Sequence, residues 1–154
     1  MDPKSIKRIV VATDFSDLSR EAIDTAVGLA RQFGATVDLV HVAAELAVAA
    51  PPPMDVVALP INPAAVIAEA SRRMADEEGR VRERGIDCES SVLVGRSDAE
   101  IVAHADATHS DLIVIATHGR TGLGHALLGS VAEKVVQHAH CPVLTIPERR
   151  ALQA

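Results

Sequence analysis

Tryptophan and tyrosine are absent from the 154 residues, and phenylalanine occurs only as Phe15 and Phe33. A protein that holds single-stranded nucleic acid on a ladder of stacked aromatics is thereby excluded. A nucleobase bound by this chain would lie against aliphatic walls and backbone hydrogen bonds. Positive charge is scarce as well. The 15 Lys+Arg against 21 Asp+Glu give a net charge of −6, and a phosphate backbone needs a basic face, so nucleic acid is not the expected partner. One small phosphate ligand with a local site stays open. Two cysteines, Cys88 and Cys141, without a C-x-x-C, are too few for a disulfide framework and predict free thiols in a reducing compartment. No run approaches the ~20 apolar residues of a membrane helix, and the apolar run within residues 1–14 is too short for the core of a signal peptide. The expectation is a soluble, cytoplasmic protein with no membrane partner.

What is present is globular in composition, 48% hydrophobic and 23% charged, and the length suits one domain over 1–154. Residues 7–12 (K-R-I-V-V-A) form an apolar run of the kind that parallel strands show when both faces are buried. Ser16 or Asp17 can cap the helix that follows, whose face is Leu18, Ala22, Ile23, Ala26, Val27, Ala30 and Phe33, and Gly34 stops it. Residues 36–42 are the second strand. Across 43–62 the pattern dissolves among Pro51, Pro52, Pro53 and Pro60, which predicts a long solvated loop or a lid. Asn62-Pro63 is a helix start, with Val66, Ile67, Ala70, Met74 and Val81 on one face and Gly85 at the end. Its many charges are mixed in sign and read as a solvated face. Residues 88–94, 111–116 and 142–146 are further strands. Helices begin at a capping box, Ser97 to Glu100, and again near Val131. The order β-α-β-α-β-α-β-α-β specifies an α/β fold: a doubly wound, five-stranded parallel sheet with helices on both faces, Rossmann-like in kind. Ligands of such sheets sit beyond the carboxyl ends of the strands, where Thr13-Asp14 and residues 116–119 fall.

The stretch 116–131, A-T-H-G-R-T-G-L-G-H-A-L-L-G-S-V, joins the fourth strand to the last helix. Backbone amides at a glycine-rich turn and the positive end of a helix dipole make an anion cradle. No G-x-x-x-x-G-K-[ST] occurs, so this is not a P-loop. Gly122-Leu123-Gly124 lacks the third glycine of the dinucleotide fingerprint and follows the wrong strand. The remaining spacing is Gly119, nine residues, then Gly129-Ser130, with His118 and Arg120 beside it.

With these residues the chain resembles the universal stress protein family of the UspA type, whose fold belongs with the adenine-nucleotide alpha-hydrolase-like domains. The nucleotide-binding members carry G-x2-G-x9-G-[ST] after strand four. The A-T-D-F-S opening, the T-H-G-R-T-G-L loop, the L-L-G-S-V-A-E helix start and the C-P-V-L-T-I-P ending fit that family over roughly 5–147. The first motif position is Ala116 rather than glycine. Its methyl is tolerable if the backbone there is extended and costly if φ is positive. The resemblance implies ATP as ligand, with Mg²⁺ arriving on the triphosphate. It places Ala12, Thr13, Asp14 and Val42 on the adenine and ribose side, with Asp14 accepting from a ribose hydroxyl. Ala116, His118, Gly119, Arg120, Gly129, Ser130 and Val131 fall on the phosphate side, where Gly119, Gly129 and Val131 offer amides and Arg120 a charge. It also implies a homodimer through residues 143–146, the last strand.

Plainer readings stand beside these. Ser130 to Glu133 is itself a capping box, Asp14 is also a helix-start residue, and His41 in a strand is usually a satisfied core residue. The histidines at 118, 125, 138 and 140 are weak support for zinc, and Cys141 has no base to activate it. No residue supplies a general base for water, so a slow, partner-dependent ATPase ranks below a regulatory nucleotide binder. The third reading is an ATP-independent dimeric interaction module.

Overall fold

A computed structural model describes residues 5–44, 62–118 and 128–148. The elements run β1 (Arg8–Ala12), α1 (Asp17–Phe33), β2 (Thr36–Ala44), α2 (Pro63–Glu83), β3 (Cys88–Gly95), α3 (Ser97–Ala107), β4 (Leu112–Ala116), α4 (Ser130–His138) and β5 (Val143–Ile146). The sheet order is β3-β2-β1-β4-β5, with every pair parallel. This is the doubly wound five-stranded sheet that the order of apolar runs predicts.

Alternation along the strands divides the core between the two faces. Ile9, Val11, Val37, Leu39 and Val114 meet the apolar stripe of α1 together with Met74 and Val81 of α2. Val10, Ala12, Val40, Ile113 and Ile115 meet Ile101 and Ala105 of α3 and Ala132 and Val135 of α4. Ile9, Val10 and Val11 are 0% exposed, each contributing about 1.5–3 kcal/mol of apolar burial. The chain leaves β1 toward the α1 face and leaves β4 toward the α4 face. Between these adjacent strands the carboxyl ends diverge, and a crevice opens there.

Ser16 caps α1 by accepting from the Ser19 amide, and Gly34 at φ 68 ends it in the left-handed region. Asn62 caps α2 by accepting from the Ala64 amide. Three expected inward positions are exposed instead: Phe33 at 45%, Val66 at 43% and Ile67 at 36%. Phe33 is the last helical residue before the chain reverses. The 21 residues of α2 span about 31 Å, whereas the eight of β3 span about 26 Å, so the first turns of α2 overhang. The proline-rich residues 45–61 lie outside the described residues.

The capping box expected at Ser97 does not form. Arg96 occupies the cap position without a side-chain cap, and Ser97 is already helical. The local signal is overridden by Asp98, whose carboxylate takes two bonds from Arg96: Nε to Oδ1 at 3.1 Å and Nη2 to Oδ2 at 2.8 Å. The Arg96 hydrogen bonds hold the Asp98 carboxyl below its usual range. A carboxyl so depressed adds stability above its unfolded pKa and loses it as pH falls through the folded one. Asp98→Asn is expected to lower Tm modestly at pH 7, the gap to wild type closing below the ordinary carboxylate range in pH-dependent melts.

Candidate functional site

The crevice is built first by the turn from β1 into α1. Thr13, 5% exposed, donates its amide to Val40 O at 2.9 Å. Its hydroxyl lies 3.0 Å from that of Ser19 and accepts from the Phe15 amide at 3.1 Å. Ser19 falls within the apolar stripe of α1 yet is only 2% exposed. Its hydroxyl is satisfied by donating to Ser16 O at 2.8 Å. The sequence gives no sign of this, because the partners come from the turn rather than from the helix. Asp14 Oδ1 accepts from the Ser16 amide at 3.0 Å, so Asp14 does serve the helix start. His41 Nδ1 lies 2.8 Å from Thr13 O. A carbonyl only accepts, so Nδ1 carries the proton, and His41 is a satisfied residue of the β2 wall.

Ala12 ends β1, and β2 and β3 continue past it. Ala12 pairs with Val40, leaving Val42 two residues beyond, in register with Leu93 of β3. Val42 and Leu93 are partly buried on the α3/α4 face and form an aliphatic shelf above the end of β1. Leu93 is absent from the sequence-derived site. Its place becomes visible only once β3 is paired with β2.

The opposite wall is the end of β4 and the start of α4. Ala116 is the last residue of β4, in register with Ile146. Among the described residues only Phe15 and His109 are non-glycines with positive φ, so Ala116 has the extended backbone that tolerates its methyl. Thr117, 3% exposed, anchors the junction. Its amide donates to Ile146 O at 3.0 Å, and its carbonyl accepts from the Gly129 amide. The Thr117 hydroxyl lies 3.0 Å from His118 Nδ1. Gly129 therefore does not offer its N–H to the crevice, contrary to expectation, because Thr117 O takes it. Gly129 has φ −71, which suits any residue. Space is what excludes a side chain there, since a Cβ would sit 2.6 Å from Thr117 O.

Gly129 is also the cap residue of α4, without a side-chain cap. Ser130 is exposed in the first turn and is not the expected capping side chain. The first intrahelical bond runs from Glu133 N to Gly129 O at 2.9 Å. The amides of Ser130, Val131 and Ala132 precede it, the orphan donors of a helix start, and among the described residues no acceptor meets them. Gly119 and Arg120 lie outside the described residues. Thus Ala12, Thr13, Asp14 and Val42 gather on one side of the crevice, and Ala116, His118, Gly129, Ser130 and Val131 on the other.

Cys88 and Cys141 form no disulfide. Burial, with Glu78 nearby, pushes the Cys88 thiol up to about 12, and a thiol so protonated is inert. Among the described residues no three His, Cys, Asp or Glu side chains gather as metal ligands. No described helix is long and apolar enough to cross a membrane.

The model of the universal stress protein family matches residues 5–147. Universal stress protein MJ0531 of Methanocaldococcus jannaschii is 37% identical over 149 residues, 91% of this chain and 81% of that protein. Universal stress protein YxiE of Bacillus subtilis is 32% identical over 144 residues, 90% and 97% of the two chains. In structure, MJ0577 of Methanocaldococcus jannaschii superposes with a TM-score of 0.80 at 24% identity, covering 96% of this chain and 99% of that one. The universal stress protein of Archaeoglobus fulgidus in complex with dAMP gives 0.68 at 26% identity over 92% and 98%. A universal stress protein in complex with cAMP gives 0.66 at 26% identity over 93% and 98%. The chain belongs to the universal stress protein family.

Proposed function

We propose that this protein binds ATP at the crevice between β1 and β4 and acts as a nucleotide-dependent regulator in stress responses. The observation that carries the reading is the start of α4. Three successive amides without acceptors among the described residues, those of Ser130, Val131 and Ala132, sit at the positive end of a helix dipole. Gly129 is held against Thr117 O, which fixes where those amides lie. Val131 and the Ser130 hydroxyl serve the phosphates, and His118, Gly119 and Arg120 belong to the same loop. Asp14 accepts from the ribose, while Ala12, Thr13, Val42 and Leu93 border the adenine. Two relatives of similar fold in complexes with dAMP and cAMP support an adenine nucleotide. Any Mg²⁺ would be held mainly by the triphosphate.

The test is direct because a chain without Trp or Tyr hardly absorbs in the near ultraviolet. Protein freed of nucleic acid is expected to release adenine nucleotide absorbing near 260 nm on denaturation, or to bind added ATP in calorimetry. A desalted protein that binds none would end the reading. Turnover of ATP lost in Arg120→Ala would move it toward an ATPase. Ala116→Gly is expected to leave ATP affinity within about threefold, since the strand backbone gains nothing from glycine there. A large gain would mean the methyl had crowded the ligand.

The protein is also proposed to form homodimers through β5. Among the described residues this strand pairs with β4 alone, and all four of its own residues are only partly buried, an edge that needs cover. Light scattering is expected to give twice 16.2 kDa.

A further inference from the structure

Phe15 directly follows Asp14 and has φ 65, in the left-handed region that bulky side chains avoid. Its surroundings must hold it there. Its amide donates to the Thr13 hydroxyl. Its ring lies 4.5 Å from that of His41, tilted by 34°. The Arg73 guanidinium, reaching over from α2, sits 4.1 Å from the ring centroid, well within cation–π range.

Arg73 differs from its neighbours on α2. Arg72 pairs with Glu69, Arg80 with Glu77 and Arg82 with Glu78, and Arg84 at the helix end pairs with Asp24. Half-buried Arg73 makes no ion pair among the described residues and turns its charge onto the Phe15 face. His41 meanwhile donates to Thr13 O. The residues before and after Asp14 are therefore both held, one by His41 through its carbonyl and the other by His41 and Arg73 through its ring.

We propose that Arg73, Phe15 and His41 form a positioning stack that keeps the turn after β1 in the conformation that aims the Asp14 carboxylate at the ribose, coupling α2 to occupancy of the crevice. This rests on the nucleotide-binding reading above. In this arrangement Arg73 and Phe15 act through the backbone of Asp14. The Ser16 amide, bonded to Asp14 Oδ1, fixes one carboxylate oxygen as seen from α1. The stack fixes the main chain that carries it.

The experiment compares ATP with 2′,3′-dideoxy-ATP by calorimetry on the full chain. Wild type is expected to prefer ATP by about tenfold or more, as for a hydrogen bond to a charged group, and Asp14→Asn is expected to erase most of that preference. Arg73→Met keeps the apolar stem and removes the cation. It is expected to shrink the preference by about 3- to 10-fold while leaving dideoxy-ATP affinity unchanged, and Arg73→Lys should restore most of it. Phe15→Leu should behave as Arg73→Met does. Equal weakening of both nucleotides would make the stack a merely structural contact and overturn the proposal. So would an unaltered preference in a variant that melts like wild type. A wild-type protein that binds neither nucleotide fails at the earlier step and overturns both readings.

Discussion

Replacing Gly129 with alanine is expected to destabilise the protein by about 1–3 kcal/mol, the usual cost of forcing an extra methyl into a packed site. It is also expected to weaken ATP binding by at least about tenfold, as when hydrogen bonds to a charged ligand are lost. The backbone at Gly129 is open to any residue, with φ −71 and ψ 163. The cost therefore comes from the Cβ, which would lie 2.6 Å from the Thr117 carbonyl oxygen. That atom is backbone at the end of β4, tied to Ile146 through its own amide, and cannot rotate away as a side-chain tip would. Relief requires the start of α4 to move off the sheet, and the amides of Ser130, Val131 and Ala132 move with it. Gly28→Ala is the control. A Cβ there meets nothing within 4 Å, and in mid-helix alanine is favoured over glycine by about 1 kcal/mol. The two substitutions should thus shift the melting temperature in opposite directions, and only the first should affect nucleotide affinity. If Gly129→Ala melts and binds like wild type, the contact with Thr117 O is not what holds the helix start in place.

The legible parts of the chain are those where one local rule met no competitor. Continuous, β-branched apolar runs such as I-V-V-A and L-I-V-I-A, short and bounded by turn residues, fit strands buried on both faces, and helices between them favour a parallel sheet. Gly34 and Asn62-Pro63 marked helix ends because the left-handed region and a missing N–H are properties of single residues. Capping boxes were less dependable. At Ser97 and Ser130 the S-x-x-E spacing is correct, yet Arg96 and Gly129 hold the cap positions, neither with a side-chain cap. The crevice itself was half legible. Motif spacing drew Gly129 into it, but as an amide donor. Only the approach of residue 129 to residue 117 revealed that its amide is spent and that its missing side chain is what matters. Asp38 stood inside T-V-D-L-V-H-V as a charge in a strand otherwise apolar or satisfied. A buried parallel strand does not carry a carboxylate without partners, but the strand gave no hint of which residues they were.

Those partners make substitution of Asp38 costly. Asp38 is 2% exposed. One carboxylate oxygen accepts from His104 Nε2 of α3 at 2.8 Å and from the Arg8 guanidinium of β1 at 3.4 Å. Arg8 reaches on to Glu89 of β3 at 3.0 Å, so the group joins three strands and a helix near the amino ends of the strands, away from the crevice. Asp38→Ala leaves the imidazole and half of the guanidinium's pairing without an acceptor. Breaking a buried pair in this way costs about 3–5 kcal/mol, enough to consume much of a typical domain's stability. Urea denaturation should show the midpoint falling, while the fraction that remains folded keeps its ATP affinity, because the cluster touches neither wall of the crevice. Removing His104 as well, in Asp38→Leu with His104→Leu, should recover a good part of the loss. The stranded imidazole disappears, apolar side chains fill the space, and Arg8 keeps Glu89. If Asp38→Ala instead unfolds within about 1 kcal/mol of wild type, close to the cost of an ordinary surface pair, water has taken the carboxylate's place and the cluster is not buried in the sense argued here. If the double variant is no more stable than Asp38→Ala, neither the stranded imidazole nor unfilled space is the source of the cost.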